Sequence, residues 1–494
     1  MVLVVATLVG LFFLVTMILA HRGRPVLLIV GLLIYLSLQE FLGLVLFNLE
    51  LLNADSFAIF QSLKDIFILV SVVGLVLEKS ALTRILLFLR SRLLLTILLG
   101  LYISLPMISL VLGQGDAALF AKIASIRQFL MPVGLVLLGF LLLTTVKDLQ
   151  IFLRAVLLLN LFLVVVGLIE MTVVDRMIVY DIFNVFDYKE LRMSEMLREE
   201  VSDHLEAKFS ADDYVPMSRY VAGTYVPRFV SLYFEPLTAA YTLMIAAVIS
   251  YSINNDGQAR KRGSWRTKSN ITRGLLFIAL LFSLTRGAIA GFLIAVIVGR
   301  PSLISRSIAA PIAIGMLALL IAMVSIPEFI IDTLLAADTS SMGHIEATLN
   351  GLAGLAEKPF GWGLGVGSYV GRFYSQLDHS FGENLFLVYG TSLGVPYMMI
   401  AIAIMFSLMV FFHRLRFDLE KESEKVIANI MLGLTVAFFL VSLTTEVWLG
   451  LRNSFVYWSL VGYLIRCSSN IPKNSAISLA GVRIKPVRKS QSQS

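Results

Sequence analysis

Long apolar segments recur along the whole chain, and they limit its fold more than any other feature. They lie at about residues 2–20, 26–47, 64–78, 93–112, 129–146, 151–170, 229–252, 274–299, 307–327, 384–412, 426–449 and 454–466. Of the 494 residues, 58% are hydrophobic and 15% are charged, whereas soluble domains carry about 25% charged residues. Because about 20 apolar residues span a bilayer as a helix, the sequence predicts a polytopic membrane protein and excludes a soluble chain with one anchor.

The Lys and Arg residues between these segments predict how the chain is oriented. The formal net charge is +7, but the positive charges lie in connections, where they favour the cytoplasmic side rather than nucleic-acid binding. The segment 254–273 and the tail after Arg466 are both strongly basic. The basic group at 21–24 follows the first apolar segment, which indicates a retained helix and not a cleaved signal peptide. We therefore predict an external N-terminus and a cytoplasmic C-terminus.

One apolar segment disturbs this alternation unless it turns back on itself. Gly274–Gly299 has Arg273 before it and Arg300 and Arg306 after it, so both of its ends favour the cytoplasm. A hairpin of two short helices, turning at Arg286, keeps every basic connection on one side. The sequence thus predicts an all-α polytopic membrane bundle of about 12–13 transmembrane helices.

Two long segments are predicted to lie on the external face. The first contains an apolar spacing of four residues over 193–205, which is typical of an amphipathic helix. The predicted parts are N-terminal transmembrane helices (1–170), a first external loop (171–228), helices that include the hairpin (229–327), a second external loop (328–383), C-terminal helices (384–466) and a basic cytoplasmic tail (467–494).

Arg286 is the only charged residue within its apolar segment. A charge at membrane depth costs on the order of a few kcal/mol, so such a residue normally faces a polar cavity or a partner. The functional interpretation is an anion ligand for the phosphate of a lipid carrier. The structural interpretation is a salt bridge to an intramembrane carboxylate such as Glu40 or Glu446.

Arg228 and Glu235 lie where the first loop re-enters the membrane. Arg228 opens the sequence Arg-Phe-Val-Ser-Leu-Tyr-Phe-Glu-Pro. It is either a phosphate ligand or an interfacial arginine that extends to lipid headgroups, and spacing alone favours neither. Glu235 directly precedes a proline within an apolar stretch, so a solvated acid is a poor explanation for it.

The end of the second loop places polar residues at the membrane boundary. His379, Glu383 and Asn384 precede the helix that begins near Leu385. A His or Glu in that place could act as a base and take a proton from an attacking hydroxyl group. The structural alternative is capping of the helix by Ser380 and Asn384, with Glu383 favoured by the helix dipole.

Metal and nucleotide chemistry find no support in the sequence. The glycine-rich stretch 361–367 suggests a phosphate cradle, but no Lys-Ser/Thr follows as in a Walker loop. There is no zinc-spaced Cys/His set, and the single cysteine, Cys467, excludes an internal disulfide. We expect no cofactor and no metal.

Three stretches of the sequence carry a resemblance to a known family. They are the Arg-led segment 228–236, the Leu-Thr-Arg-Gly-Ala turn at 284–288, and the second loop with Ser-Ser-Met-Gly-His at 340–344, Pro-Phe-Gly-Trp-Gly-Leu-Gly at 359–365 and Glu-Asn-Leu-Phe-Leu at 383–387. Together they resemble the O-antigen polymerase and O-antigen ligase superfamily, in particular its exopolysaccharide-polymerase-like branch. The resemblance spans roughly residues 224–400; the N-terminal half agrees only in being a set of apolar helices.

The resemblance implies glycosyl transfer without a nucleotide sugar or a metal. The donor would be a saccharide chain on undecaprenyl diphosphate, and an acceptor hydroxyl would attack its anomeric carbon. Arginine stays protonated and offers a planar donor fork, so Arg228 and Arg286 suit the departing diphosphate. The other expected substrate ligands are Glu235, His344, Arg372 and Asn384, and the expected catalytic residues are His379 and Glu383.

The chain departs from the family pattern next to its asparagine. Ligases and many relatives have His there, whereas Glu383 precedes Asn384 and His379 lies four residues earlier. The departure leaves the base open and favours a polymerase over a ligase. We expect a polymerase at the external face of the bacterial cytoplasmic membrane, working with membrane lipids, a chain-length regulator and a flippase. The alternatives are a ligase with the same donor and a flippase, although no half-repeat typical of transporters is visible.

Overall fold

The structure is a computed structural model that describes most of the predicted helices. The described residues are 24–76, 93–113, 119–172, 218–221, 224–251, 263–299, 339–366, 384–446 and 449–469, together with most of 180–188 and a few isolated positions. The predicted amphipathic helix at 193–205 and the apolar segment 307–327 lie outside the described residues.

Helices make up nearly all of the described chain. They are α1 (Val26–Asn48), α2 (Ala54–Val76), α3 (Leu93–Val111), α4 (Leu119–Leu142), α5 (Val146–Thr172), α6 (Pro236–Ser250), α7 (Gly263–Phe282), α8 (Arg286–Gly299), α9 (Thr339–Glu357), α10 (Leu385–Leu393), α11 (Val395–Asp418), α12 (Glu422–Val441) and α13 (Leu451–Ser469). Two short strands, β1 (Ser218–Val221) and β2 (Thr224–Pro227), pair antiparallel just before Arg228.

Six of these helices are long and apolar enough to cross a membrane. They are Val26–Asn48, Leu94–Val111, Ala121–Leu142, Val146–Thr172, Val395–Asp418 and Glu422–Val441. Shorter apolar helices occur at Pro236–Ser250, Asn270–Phe282 and Arg286–Gly299. The predicted fold class, an all-α polytopic membrane bundle, is therefore confirmed.

Glycines set the closest helix crossings of the bundle. A Cβ atom on Gly462 of α13 would stand 2.0 Å from the Val136 carbonyl oxygen of α4, and one on Gly433 of α12 would stand 2.1 Å from the Ala295 carbonyl oxygen of α8. Small residues let helix backbones approach in a membrane, where lipid tails remove the hydrophobic driving force for association. These contacts join the C-terminal helices to α4 and α8.

The apolar segment 274–299 forms two helices that fold back on each other. α7 ends at Phe282, α8 begins at Arg286, and Leu284 in the turn has a positive φ of 50°. The rings of Phe277 and Phe292, which lie at similar distances on either side of the turn, have centroids 5.3 Å apart. α7 and α8 therefore run antiparallel, and the turn brings residues 283–286 to one end of the bundle.

The segment 384–412, expected as one helix, is divided into α10 and α11. The division falls at Gly394, whose φ of 88° few residues other than glycine adopt. Pro396 then stands in the first turn of α11, a position that proline tolerates because that N–H has no intrahelical acceptor. The Gly-Val-Pro sequence at 394–396 is the signal for this break.

Several helix ends meet at the same end of the bundle, called here the Arg228 end. The Phe229 backbone N–H donates to the Phe282 carbonyl at 2.9 Å, which joins the approach to α6 to the end of α7. The Leu385 N–H donates to the Ser442 carbonyl at 3.0 Å, which joins the start of α10 to the end of α12. Gly291 near the start of α8 faces Val441, so the hairpin turn lies beside the end of α12.

Candidate functional site

The Arg228 side chain binds the turn between α7 and α8. Its Nε donates to the Ser283 carbonyl oxygen at 3.0 Å, and its Nη2 donates to Thr285 Oγ1 at 2.9 Å. The Ser283 carbonyl follows the end of α7, where the helix dipole is negative and favours a cation. Arg228 therefore clamps the turn that directly precedes Arg286.

The turn itself is tightly bonded and buried. The Ser283 hydroxyl donates to the Leu280 carbonyl at 2.6 Å and accepts from the Thr285 N–H at 3.3 Å. Ser283 is fully buried and Thr285 is 5% exposed. Short hydroxyl side chains bond to nearby backbone in this way where a helix stops. Their burial gives the guanidinium of Arg228 a defined surface to bind.

Arg286 is the first residue of α8 and is partly buried. The backbone N–H groups of a first helical turn have no intrahelical acceptor and the helix dipole is positive there, so anions are favoured. The neighbouring Gly287 lies against α6, because a Cβ on it would stand 2.6 Å from Tyr241 Oη. Two arginines and a helix N-terminus thus share one turn at the Arg228 end.

Glu235 also lies at the Arg228 end, where it stands at the start of α6. It is the N-cap residue of α6 with extended backbone, and Pro236 follows at the first helical position. Its Oε2 accepts a hydrogen bond from Thr238 Oγ1 at 2.8 Å. A carboxylate here is favoured by the α6 dipole, and it places negative charge seven residues after Arg228.

Asn384 caps α10. Its Oδ1 accepts from the N–H groups of Phe386 and Leu387 at 2.9 and 3.2 Å, and its Nδ2 donates to the Leu443 carbonyl at 2.9 Å. The side chain therefore fixes the start of α10 to the chain that follows α12. Glu446, three residues beyond Leu443, is partly buried at this end.

The second loop is described only in part. His344 lies in the first turns of α9, while Arg372, His379 and Glu383 lie outside the described residues. α9 packs on α10 through Leu355, whose Cδ atoms are 3.3 Å from the position of a Cβ on Gly390. The described site therefore consists of the two arginines, Glu235 and Asn384.

The glycine-rich stretch binds a helix end. The N–H groups of Trp362 and Gly363 donate to the carbonyls of Thr391 and Ser392 at 2.7 and 3.1 Å, so they cap α10. Gly361, Gly363 and Gly365 all have positive φ values, between 88° and 101°. Glycines are needed for this backbone path. The N–H groups of Trp362 and Gly363 are occupied by their hydrogen bonds to the end of α10.

Sequence reasoning missed one buried ion pair. Glu40 of α1, considered above as a partner of Arg286, accepts from Arg452 Nη2 at 2.5 Å and from Tyr188 Oη at 3.2 Å. Glu40 is 1% exposed. An acid within an apolar segment signals a buried cation, but the pair joins residues 412 positions apart, so the sequence does not indicate which cation.

Comparison of the chain with models of protein families finds no matching family, and a search among curated proteins finds no significant match.

Proposed function

We propose that the chain is a polysaccharide polymerase that joins lipid-linked saccharides at the external face of the cytoplasmic membrane. The donor is a saccharide chain on a polyprenyl diphosphate, and the acceptor is a lipid-linked repeat unit. The observation that supports this proposal most directly is the clamp between Arg228 and the turn that carries Arg286. It concentrates positive charge at one end of an apolar bundle.

The proposed reaction depends most on stabilising the negative charge of the leaving group. An acceptor hydroxyl oxygen forms a bond to the anomeric carbon of the donor, and the bond from that carbon to the diphosphate oxygen breaks. The hydroxyl proton passes to a base, for which His379 and Glu383 are the proposed candidates, and the diphosphate leaves with its lipid. Negative charge grows on the leaving oxygen, so fixed cations there lower the barrier.

The two arginines have different roles in the proposal. Arg228 directs Nε and Nη2 to the turn, so its first role in the proposal is to hold that turn. Arg286 is the first residue of α8, where the helix N-terminus adds to the attraction for phosphate. In the proposal Arg286 contacts the diphosphate directly, and Arg228 contributes charge and positions it.

Arg286→Ala is the direct test. We expect it to reduce polymer at least about a hundredfold at equal protein level, as removal of a transition-state donor does elsewhere. Arg286→Lys should recover only part of the activity, because lysine lacks the planar fork. The measurement is gel analysis of surface polysaccharide from cells that carry only the variant.

Arg273→Ala is the matched control. Arg273 is on the same helical hairpin but in the middle of α7, away from the turn, where it donates to the Ser250 carbonyl. Its loss should leave polymer normal. Normal polymer from Arg286→Ala would overturn the role given to Arg286. Deletion of the gene distinguishes the alternatives. Loss of a polymerase leaves single repeat units, loss of a ligase leaves long chains on the carrier, and loss of a flippase leaves no external lipid-linked material.

A further inference from the structure

A cavity of about 190 Å³ lies beside the segment that follows Arg228. Its described walls come from α1, α5 and two stretches of chain, 180–185 and 231–234, and most side chains in these walls are aliphatic or aromatic. Apolar cavities of about 150 Å³ stay dry and bind molecules the size of benzene. The cavity, called here the apolar cavity, is therefore large enough to hold a short length of hydrocarbon.

The walls of the apolar cavity are fixed by hydrogen bonds that need no ligand. Ser231 Oγ donates to the Leu163 carbonyl of α5 at 2.7 Å. Asn48 Nδ2, at the end of α1, donates to the Phe183 carbonyl at 2.6 Å. Each bond joins one of the two stretches of chain to a helix. The cavity is therefore preformed, as binding sites for apolar ligands usually are.

The apolar cavity is open on one side. Ile169 and Phe183 belong to its walls and are 47% and 41% exposed, whereas Leu44 and Val185, in the same walls, are 1% and 0% exposed. Exposed apolar side chains of a membrane bundle meet lipid tails, which are as apolar as the side chains themselves. An opening of this kind admits a hydrocarbon chain from the bilayer rather than a solute from water.

A carboxylate in the wall excludes a phosphate from the apolar cavity. Glu170, in the last turn of α5, accepts a hydrogen bond from Tyr180 Oη at 3.5 Å. It repels a second negative charge nearby, and the repulsion is stronger where the dielectric constant is low. A lipid that uses the cavity must therefore leave its phosphate outside and place only hydrocarbon within.

The apolar cavity shares a strained segment with the Arg228 clamp. Ser231 and Phe234, both in its walls, have φ values of 56° and 50°. Such conformations cost on the order of 1–3 kcal/mol each in residues other than glycine, and they cluster at ligand sites. Ser231 is three residues after Arg228, so their Cα atoms are at most about 11 Å apart. The cavity therefore lies within reach of a lipid whose phosphate is held at Arg228.

We infer that the apolar cavity binds the isoprene units next to the diphosphate of the carrier lipid. The inference rests on the proposed function, which places the diphosphate at Arg228 and Arg286. The hydrocarbon of the carrier begins directly at its diphosphate, so the first isoprene units stay within the distance that separates Arg228 from the cavity. A phospholipid fits less well, because polar glycerol esters lie between its phosphate and its chains and lose their water in apolar walls. In this way the cavity selects polyprenyl carriers among the lipids of the bilayer.

Photocrosslinking of the purified, full-length protein in phosphatidylglycerol bilayers tests the site. The probe is a polyprenyl diphosphate that carries no saccharide and has a diazirine on an isoprene unit near the diphosphate. Light releases N₂ from the diazirine, and the carbene that remains inserts into a neighbouring C–H bond. We expect adducts on Leu44 and Val185, which are buried, so that only a chain inside the cavity reaches them. Mass spectrometry of the digested protein locates the adducts.

Val166→Phe should reduce these adducts at least about tenfold, a loss that corresponds to about 1.4 kcal/mol of binding free energy, because the phenyl ring fills part of the cavity. Leu232→Trp, in another wall, covers the case in which the first variant fails to fold. Val165→Phe is the matched control. Val165 is the adjacent residue of α5, is 47% exposed and is not among the described wall residues, so its variant should keep the adducts.

Wild-type protein without adducts on Leu44 and Val185, or equal adducts in Val166→Phe and Val165→Phe, would overturn the inference. So would equal adducts from a phosphatidylglycerol that carries the diazirine in its acyl chain, since any hydrocarbon would then enter. Adducts in the cavity without gene-dependent polymer would remove the proposed function and keep a site for polyprenyl lipids. Normal polymer without adducts would remove the site and keep the proposed function.

Discussion

At the scale of single residues, the contact that matters most is between Arg228 and Thr285. A guanidinium suits this turn because its N–H donors form a rigid fork that can bind a carbonyl oxygen and a hydroxyl oxygen at the same time. Here the two acceptors are the Ser283 carbonyl and Thr285 Oγ1, and both residues are buried. A lysine would supply the charge but could not hold both acceptors in fixed directions.

Thr285→Val should weaken the clamp while preserving side-chain volume. The lost hydrogen bond is to a charged donor, and such bonds contribute about 1.5–3 kcal/mol. We expect polymer formation in isolated membranes to fall roughly tenfold or more, because the turn before Arg286 would no longer be fixed.

Thr285→Ser retains the hydroxyl and provides the control for that variant. It should keep most of the activity, while valine should not. Equal activity of the two variants would show that the hydroxyl is irrelevant to the site and would remove Arg228 as a positioning residue. Folding is monitored by the amount of protein recovered from the membrane.

At the scale of elements, the bundle depends on a few close crossings without side chains between the helices. The crossing of α4 and α13 is the tightest of these, with Gly139 against Ser459 and Gly462 against Val136. Because each glycine faces a backbone carbonyl, which cannot move aside as a flexible side chain can, even one methyl group must separate the helices.

Gly462→Ala should therefore destabilise the protein. Overpacking of a tight contact costs typically about 1–3 kcal/mol, and a fall in the melting temperature of the detergent-purified protein is the measurement. Gly100→Ala on α3 is the control, because a Cβ there meets no atom within 4 Å; its melting temperature should be unchanged or slightly higher, as alanine favours helix. Equal effects of the two substitutions would contradict the importance of the crossing.

The apolar pattern was sufficient to predict the class of the fold and most of its helices. A charge-poor segment of bilayer length has few alternatives to helix, because every backbone group must be bonded within the segment. The pattern did not locate the break at Gly394, since hydropathy ignores backbone conformation. The predicted apolar segment 64–78 also missed the start of α2, because the helix begins at Ala54, ten residues earlier.

The candidate site was less predictable than the helices. Arg286 and Arg228 were identified because charges in apolar surroundings are conspicuous in a sequence. Their relationship through Ser283 and Thr285 depends on the direction of each side chain at a turn, which no spacing encodes. No spacing encodes the hydrogen bond between the side chains of Gln39 and Gln61 either. It requires that α1 and α2 pack with these two positions facing each other.

At the scale of the whole molecule, the distribution of basic residues predicts an orientation that can be measured. A green fluorescent protein fused after Ser469 should fluoresce, because we place that end in the cytoplasm, and alkaline phosphatase at the same point should be inactive. Fusions between residues 210 and 217, in the predicted first external loop, should give the reverse pattern. Fluorescence at both points would contradict an external site.

The Glu40–Arg452 pair also has a consequence for the biogenesis of the protein. Glu40 enters the bilayer 412 residues before its arginine is made. At synthesis rates of about 5–20 residues per second, the interval is roughly 20–80 s. During this interval the growing chain carries the Glu40 carboxylate while Arg452 has not yet been made, so we expect α1 to reach its final position late. Chains truncated ahead of Arg452 should be recognised by membrane proteases and degraded.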